Sequence, residues 1–200
     1  MKYSTTTSNA FKKEILYNYL YLFSEVEVKL KAKFKEVLSE TVSEEIQNKF
    51  RFLHLPNRIQ MAFEGDFRND QFKINRLKVS LNDEFKVSWS LKQCLMFADQ
   101  NNFLDQIVDT NIPFKGKPHN DLKVIDLLSQ AISIRNCLAH ETFNIRLRGS
   151  FEVLSNDQLE QAIKDDTEFE SPASINSLED HYKYALTYYF YLKELENKID

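Results

Sequence analysis

The segment from Ala131 to Glu141 holds three side chains whose chemistry is readily stated, namely Arg135, Asn136 and His140. An imidazole titrates close to neutral pH, so it can accept or release a proton under ordinary conditions. A guanidinium keeps its positive charge and can hold two phosphate oxygens at once. An arginine and a histidine five positions apart are therefore suited to proton transfer beside a phosphate group.

The arginine stands in an unexpected place on a predicted amphipathic helix. At roughly 100° per residue, one broad apolar face carries Val124, Leu127, Leu128, Ala131, Ile132, Leu138 and Ala139. Arg135 projects from near the middle of this face, whereas Asp126, Ser129, Ser133, Asn136 and His140 lie opposite. Burial of an unpaired guanidinium costs several kcal/mol. We therefore expect Arg135 to face an interface or a cleft where an anion meets it.

Apolar spacing predicts helices over most of the remaining chain. The first runs from about Asn9 to Leu38, with a buried stripe formed by Phe11, Ile15, Tyr19, Leu22, Val26, Leu30 and Phe34. Capping boxes at Thr41–Glu44 and Ser155–Gln158 predict helices to Phe50 and to about Lys164. Further helical segments are expected at 91–98, 103–108, 121–139 and 178–192. Asn120 is the predicted N-cap of the helix at 121–139. The sequence thus predicts a mainly α helical bundle.

Two segments interrupt this pattern. Apolar residues alternate with Lys and Ser from Leu77 to Leu91, which indicates a β-hairpin inserted at about 76–91. The acidic stretch 165–174, interrupted by Pro172, is the best candidate for a mobile loop. We also considered that the acidic residues from 152 to 170 screen the predicted site until an activator displaces them.

Bulk composition favours one compact helical domain. The chain has 200 residues, 42% of them hydrophobic, and its 16 Phe and 9 Tyr contrast with 3 Gly and 4 Pro. We expect a disordered polar tail at 1–8 and a single domain at 9–200. The formal net charge of −4 provides no overall positive field for nucleic acid, so any such contact must be local. Lys115, Lys117, Arg146 and Arg148 are the candidate contacts to an RNA backbone.

The sequence lacks the motifs typical of several classes of enzyme and metal site. The three glycines are scattered, so a phosphate-binding P-loop is not predicted, and neither His-Glu-x-x-His nor Cys-x-x-Cys occurs. No metal or cofactor is expected. Cys94 and Cys137 resemble small apolar residues of a reducing compartment. With no secretory signal and no apolar run of about 18 residues, we expect a cytoplasmic protein without membrane contact.

The string Ile134-Arg-Asn-Cys-Leu-Ala-His140 resembles the R-x(4–6)-H motif of the HEPN superfamily, the higher eukaryotes and prokaryotes nucleotide-binding domains, in the version found in abortive-infection proteins. The motif covers about a dozen residues, and helix count and order extend the resemblance loosely over the rest of the chain. It implies a HEPN-like bundle acting as a metal-independent RNA endonuclease. Attack by the 2′-hydroxyl would leave a 2′,3′-cyclic phosphate. It implies catalytic positions for Arg135 and His140, and a supporting position for Asn136.

The predicted geometry adds a constraint. On a regular helix, Arg135 and His140 lie roughly 140° apart, so they would not converge on one phosphate. Either the last turn unwinds at Ala139 and His140, or two copies pair through the face that carries Arg135 and share a cleft, as the resemblance also implies. We favour the homodimer. The biological role implied is anti-phage defence or a toxin–antitoxin system, with an antitoxin or activator of unknown identity.

Alternatives to the nuclease remain open at this stage. In one alternative, Arg135 is structural and pairs with an acid such as Asp126 or Glu14, and the bundle is a catalytically inactive binding or regulatory subunit. Binding of a small nucleotide in the same cleft is a third possibility. HEPN toxins paired with a nucleotidyltransferase often carry a tyrosine two residues after the histidine. The residue here is Thr142, which disfavours that pairing and favours an abortive-infection or stand-alone role.

Overall fold

The computed structural model describes residues 5–53, 90–110, 124–139, 153–169 and 180–199. These residues form six α-helices and one 3₁₀ turn, and no strand occurs among them. In chain order the elements are α1 (Thr5–Glu40), α2 (Glu44–Leu53), α3 (Leu91–Gln100), the 3₁₀ turn (Leu104–Gln106), α4 (Val124–Ala139), α5 (Asn156–Asp165) and α6 (Asp180–Glu196). The prediction of a mainly α bundle is confirmed.

The long helix α1 organises the bundle. Its seven predicted core residues, from Phe11 to Phe34, are all buried, and the helix packs against α3, α4 and α6. The helix begins at Thr5, four residues before the predicted start near Asn9. A single stripe at three- and four-residue spacing therefore gives the core one continuous wall.

Helix α6 lies alongside α1 and runs in the same direction. Near the start of both helices, the Lys12 ammonium lies 4.9 Å from the centre of the Tyr182 ring. Near the end of α6, Lys29 Nζ lies 2.7 Å from Glu196 Oε1. Every residue from Ala185 to Leu192 is buried, so α6 is enclosed on all sides over two turns, as expected of a central helix in a bundle.

Four phenylalanine rings join α1, α2, α3 and the 3₁₀ turn at the far end of α1. The ring centres lie 4.9 Å apart for Phe34–Phe50, 4.7 Å for Phe50–Phe97 and 6.0 Å for Phe34–Phe103. These separations and the tilted ring planes are typical of favourable aromatic packing. The cluster fixes α2 and α3 to the end of α1 opposite its N-terminus.

Of the two predicted capping boxes, the one at the start of α5 is present and the one before α2 is not. Ser155 accepts from the amide of Gln158 at 3.3 Å, and Gln158 Oε1 accepts from the Ser155 amide at 2.8 Å, so the predicted box of α5 is confirmed. The predicted box at Thr41–Glu44 is wrong. Thr41 Oγ1 lies 2.9 Å from the Val37 carbonyl oxygen of α1, and Ser43 is the residue that accepts from an α2 amide, that of Ile46.

The segment 90–108 also differs in part from its prediction. Ser90 forms a capping box for α3 that the sequence reasoning missed, and Asn102, with φ of 58°, ends the helix in the left-handed conformation that asparagine tolerates. Leu104–Gln106 is a 3₁₀ turn rather than an α-helix. Of the predicted hairpin at 76–91, residues 76–89 lie outside the described residues, and Leu91 begins α3.

No helix in the described part of the chain has both the length and the apolar character needed to cross a membrane.

Candidate functional site

Helix α4 carries the arginine and packs against α1, α3 and α6. Its buried residues are Val124, Leu127, Leu128, Gln130, Ala131, Ile134 and Leu138. The predicted apolar face included Ala139, which is exposed, and omitted Ile134, which is fully buried. The buried face is therefore rotated relative to the prediction, and Arg135 lies at its edge rather than near its middle. The reason is that helices cover α4 on one side, and only their positions define which face is core.

The half-buried guanidinium of Arg135 packs on a phenylalanine from α1. Its central carbon lies 5.3 Å from the centre of the Phe23 ring, and Phe23 itself is only 2% exposed. A planar cation over an aromatic face is an attractive arrangement worth about 0.5–2 kcal/mol, depending on solvent exposure. Phe23 thus limits the positions that the arginine head can take.

A buried tyrosine joins α1 to α4 one turn earlier. The Tyr19 hydroxyl donates to the carbonyl oxygen of Ala131 at 2.9 Å. Burial is the largest influence on the pKa of Tyr19 and raises it well above 10; Tyr188 acts in the same direction, and the positive charge of Arg135 opposes both. Tyr19 is therefore a protonated donor at any ordinary pH, and its hydrogen bond fixes α4 in depth and rotation against α1.

No carboxylate among the described residues lies within salt-bridge distance of Arg135. Asp126, one of the two acids considered as its partner, is exposed and lies about 180° away around α4. Glu14, the other, lies two and a half turns before the arginine's contact at Phe23 along α1. Within the described part of the chain, the charge of Arg135 is therefore stabilised by an aromatic ring and by solvent, and not by an acid.

The other motif residues are placed as follows. Asn136 is exposed on α4, about 100° from Arg135, and α4 remains helical through Ala139. Unwinding at Ala139 is thus not observed, while His140 lies outside the described residues. The predicted RNA contacts Lys115, Lys117, Arg146 and Arg148 also lie outside the described residues. The structure therefore places Arg135 and Asn136 together on the last turn and a half of α4.

Phe23 and Tyr19 were not recognised as neighbours of the motif from the sequence. Tyr19 was predicted to be a core residue, and Phe23 lies beside Leu22 on the same stripe. Nothing in the local sequence says which partner helix a stripe residue meets. Tyr19 and Phe23 are four residues apart on α1, and their partners Ala131 and Arg135 are four residues apart on α4. The two contacts therefore lie on successive turns of both helices.

A second polar cluster lies between the end of α5 and α6. Lys193 Nζ lies 3.0 Å from Asp166 Oδ2 and 3.2 Å from Glu168 Oε2, and the Tyr189 hydroxyl donates to Glu168. The hydrogen bond from Tyr189, and then Lys193, lowers the pKa of Glu168. Phe169 is buried against Tyr189, with 4.6 Å between ring centres. The predicted mobile loop is therefore wrong for its described part, 165–169, which is attached to α6 by ion pairs and a buried ring.

Among the described residues, no three His, Cys, Asp or Glu side chains come together in a group that could hold a metal ion. The thiol of Cys94 is buried, and burial raises its pKa to about 11.

Searches against protein-family models, curated proteins and solved structures find no match to this chain.

Proposed function

We propose that this protein is a metal-independent RNA endonuclease of the HEPN type, acting in anti-phage defence or in a toxin–antitoxin system. In this proposal Arg135 neutralises charge on the scissile phosphate and His140 transfers a proton to or from the reacting oxygens. Asn136 orients the histidine or an RNA oxygen. The 2′-hydroxyl attacks the adjacent phosphorus, the bond to the 5′-oxygen breaks, and the products carry a 2′,3′-cyclic phosphate and a 5′-hydroxyl.

The observation that carries the proposal is the environment of Arg135. Its guanidinium is half-buried and packed on Phe23, and no described carboxylate neutralises it. A cation that is held in place, without a described acid partner, retains its capacity to bind an anion from solution. Asn136, one residue further, is exposed and offers an amide beside it. Together with the Arg-Asn-x-x-x-His spacing, this favours a phosphate site over a structural ion pair.

We further propose that two copies share the site through the face of α4 that carries Arg135. The helix is regular through Ala139. On a regular helix, residues five positions apart, the spacing of Arg135 and His140, would point roughly 140° away from each other. A two-fold axis beside α4 solves this, because each copy then supplies an arginine next to the partner copy's histidine. Ile132, three residues before Arg135, is only partly buried, as is Ile125 two turns earlier on α4. Both provide apolar surface for such a contact.

A catalytically inactive HEPN bundle, serving as a binding or regulatory subunit, is the second candidate. The observation that favours it is the same Phe23 contact, because stacking on a buried ring gives Arg135 a structural role that needs no substrate. In that case the arginine contributes to the packing of α4 on α1, and loss of the side chain affects stability alone.

The test is incubation of the purified protein with total RNA and transfer RNA in the presence of a chelator. We expect cleavage products ending in a 2′,3′-cyclic phosphate, and a loss of at least about a hundredfold in rate for His140→Ala. His54→Ala replaces a histidine outside the motif and is the matched control, which should cleave at the wild-type rate. All three proteins must have the same thermal unfolding midpoint.

Two results would contradict the nuclease. One is a wild-type protein that leaves every RNA intact, with Arg135→Ala changing only the melting temperature, which is the pattern expected of the inactive bundle. The other is cleavage that persists in His140→Ala at the wild-type rate, since a contaminating nuclease then accounts for the products.

A further inference from the structure

Helix α1 exposes an unusual amount of apolar surface on the side away from the core. Tyr17 is 72% exposed, Tyr21 60% and Val28 64%, and these are three of the four large apolar side chains most exposed to solvent in the described part of the chain. On the helix they fall within about 40° of each other. The exposed small residues Ala10, Ser24 and Ala32 lie on the same line. We call this set the outer stripe of α1.

The outer stripe follows the spacing of a helix-pairing surface. Positions 10, 14, 17, 21, 24, 28, 32 and 35 follow one another in steps of three or four residues, which keeps them on one side of the helix, where they can face a partner helix. Three seam positions carry small residues, Ala10, Ser24 and Ala32, and two helices can approach closely at these points. The seam is 26 residues long, or about 39 Å at 1.5 Å per residue.

The two charged residues of the seam have opposite signs. Glu14 lies at the N-terminal end and Lys35 at the C-terminal end, and neither forms an ion pair within the described part of the chain. Both lie 10.5 residues from the point midway between Ser24 and Glu25, or about 16 Å. Tyr17 and Ala32 are likewise equidistant from that point, as are Tyr21 and Val28.

From this symmetry we infer that α1 pairs with α1 of a second copy of the chain, antiparallel, across a two-fold axis near Ser24. In this arrangement Glu14 meets Lys35 of the other copy, Tyr17 meets its Ala32, and Tyr21 meets its Val28, and each contact occurs twice. A parallel pairing would instead set glutamate against glutamate and lysine against lysine at the two ends, which is repulsive. Charge and size along the stripe therefore select both the partner and its direction.

The exposed area is consistent with a weak but specific dimer. Tyr17, Tyr21 and Val28 present on the order of 400 Å² of largely apolar surface on each copy. Two copies together come close to the approximately 1,000 Å² that a specific interface needs. Tyrosine is also among the residues enriched at such interfaces. We expect association in the micromolar range.

This association is independent of the proposed nuclease activity. The outer stripe lies on α1 roughly 140° from Phe23, which contacts Arg135, so the seam and the Arg135 face are different surfaces of the molecule. A protein that uses both two-fold contacts forms a tetramer or a longer assembly. Failure of RNA cleavage would leave the α1 pairing untouched, and loss of the pairing can be measured without RNA.

The first experiment measures mass by light scattering and sedimentation as a function of concentration. We expect wild-type association to weaken at least tenfold in Tyr21→Glu. Met96→Glu introduces the same charge at an exposed apolar residue of α3 (40% exposed), and it should associate as the wild type does. A wild-type protein that is monomeric at submillimolar concentration, or a Tyr21→Glu variant with unchanged association, would overturn the inference.

The second experiment exchanges the end charges. Glu14→Lys and Lys35→Glu should each weaken association, because like charges then face each other at both ends, and the double variant should recover at least half of the loss in free energy. Single variants with wild-type association, or a double variant weaker than both singles, would contradict antiparallel pairing.

The third experiment tests the position of the axis by oxidative cross-linking in a Cys137→Ser background. Cys94 is buried and should not react. Ser24→Cys lies next to the proposed axis and should give a covalent dimer. Ser39→Cys, also exposed, lies about 43 Å from its own symmetry mate and should not. Equal cross-linking of both variants, or none at position 24, would count against the arrangement.

Discussion

The Tyr19 hydroxyl donates a hydrogen bond to the Ala131 carbonyl oxygen across the contact of α1 with α4, one turn before Arg135. The phenol is fully buried, so the bond is protected from competing water. Ala131 and Arg135 lie on the same helix, α4. The hydrogen bond from Tyr19 therefore holds the helix that carries Arg135 against the buried side of α1. The stability of the site and that of the fold are therefore coupled.

Removal of that hydroxyl should destabilise the protein without changing its packing. For Tyr19→Phe we expect a loss of about 1 kcal/mol in the free energy of unfolding, since one buried hydrogen bond is lost and the ring remains. Urea denaturation measures the difference. Tyr17→Phe, whose ring is 72% exposed, is the matched control and should unfold as the wild type does. Equal stability of Tyr19→Phe and wild type would show that this bond contributes nothing.

Substitutions at Arg135 separate a structural from a functional role. Arg135→Lys keeps the charge but loses the planar head that stacks on Phe23 and binds two phosphate oxygens. We expect RNA cleavage to fall at least tenfold, and the free energy of unfolding to fall by no more than about 1 kcal/mol. Parallel measurements of cleavage and urea unfolding give both values. A loss of stability with full retention of cleavage would remove Arg135 from the chemistry.

Phe23 should act as a positioning residue for the arginine. Phe23→Leu fills most of the same space but offers no ring face to the guanidinium. We expect lower cleavage for Phe23→Leu, with little further loss when it is combined with Arg135→Lys, because both changes disturb one contact. Leu22→Met, a neighbouring core substitution of similar size, controls for general effects on packing. Additive losses from the two substitutions would argue against a shared role.

The cluster of Lys193, Asp166, Glu168 and Tyr189 predicts an acid-sensitive step in stability. The hydrogen bond from Tyr189, with support from Lys193, lowers the pKa of Glu168 in the folded protein. A group whose pKa is lowered by folding stabilises the folded protein at pH values above its pKa in the unfolded chain, which is about 4.3 for Glu. This stabilisation is lost as the pH falls through the pKa of the folded protein. Glu168→Gln should therefore unfold at a lower urea midpoint than wild type near neutral pH, and the difference should disappear as the pH falls through the folded-state pKa of Glu168.

The matched control for that pH series is Glu160→Gln, which neutralises a carboxylate on α5 that forms no ion pair with another residue in the described part of the chain. Glu160→Gln leaves the contacts of Glu168 with Tyr189 and Lys193 in place, so near neutral pH it should lower the urea midpoint less than Glu168→Gln does. Because the Glu168 side chain is 59% exposed, solvent screens the contribution and the difference should be small. A wild-type-like pH profile for Glu168→Gln would show that the ion pair with Lys193 does not hold the 166–169 segment.

Some features of the fold follow directly from the sequence. The stripe from Phe11 to Phe34 has a period that only a helix can bury on one side, and it identified the core of α1 correctly. The capping box at Ser155 is equally local, since the hydroxyl and the amide that it binds are three residues apart. Such signals depend on neighbours along the chain, and they need no knowledge of the rest of the molecule.

Other features depend on which helices meet. The sequence indicated an arginine in the middle of an apolar face, and the packing of α1, α3 and α6 against α4 placed it at the edge, on Phe23. The acidic residues after α5 suggested a mobile loop, but Lys193, Tyr189 and Phe190 on α6 bind the segment 166–169 to the bundle. Thr41 had the composition of a cap and instead extends the end of α1.

The sequence by itself determined the periodic elements and the spacing of Arg135, Asn136 and His140, because period and spacing are properties of consecutive residues. Only the tertiary structure decided that Phe23 and Tyr19 lie beside the motif, and that Tyr17, Tyr21 and Val28 face outward. The physical reason is that burial and pairing depend on contacts between residues more than a hundred positions apart in the chain, as for Tyr19 and Ala131. No local pattern records those contacts.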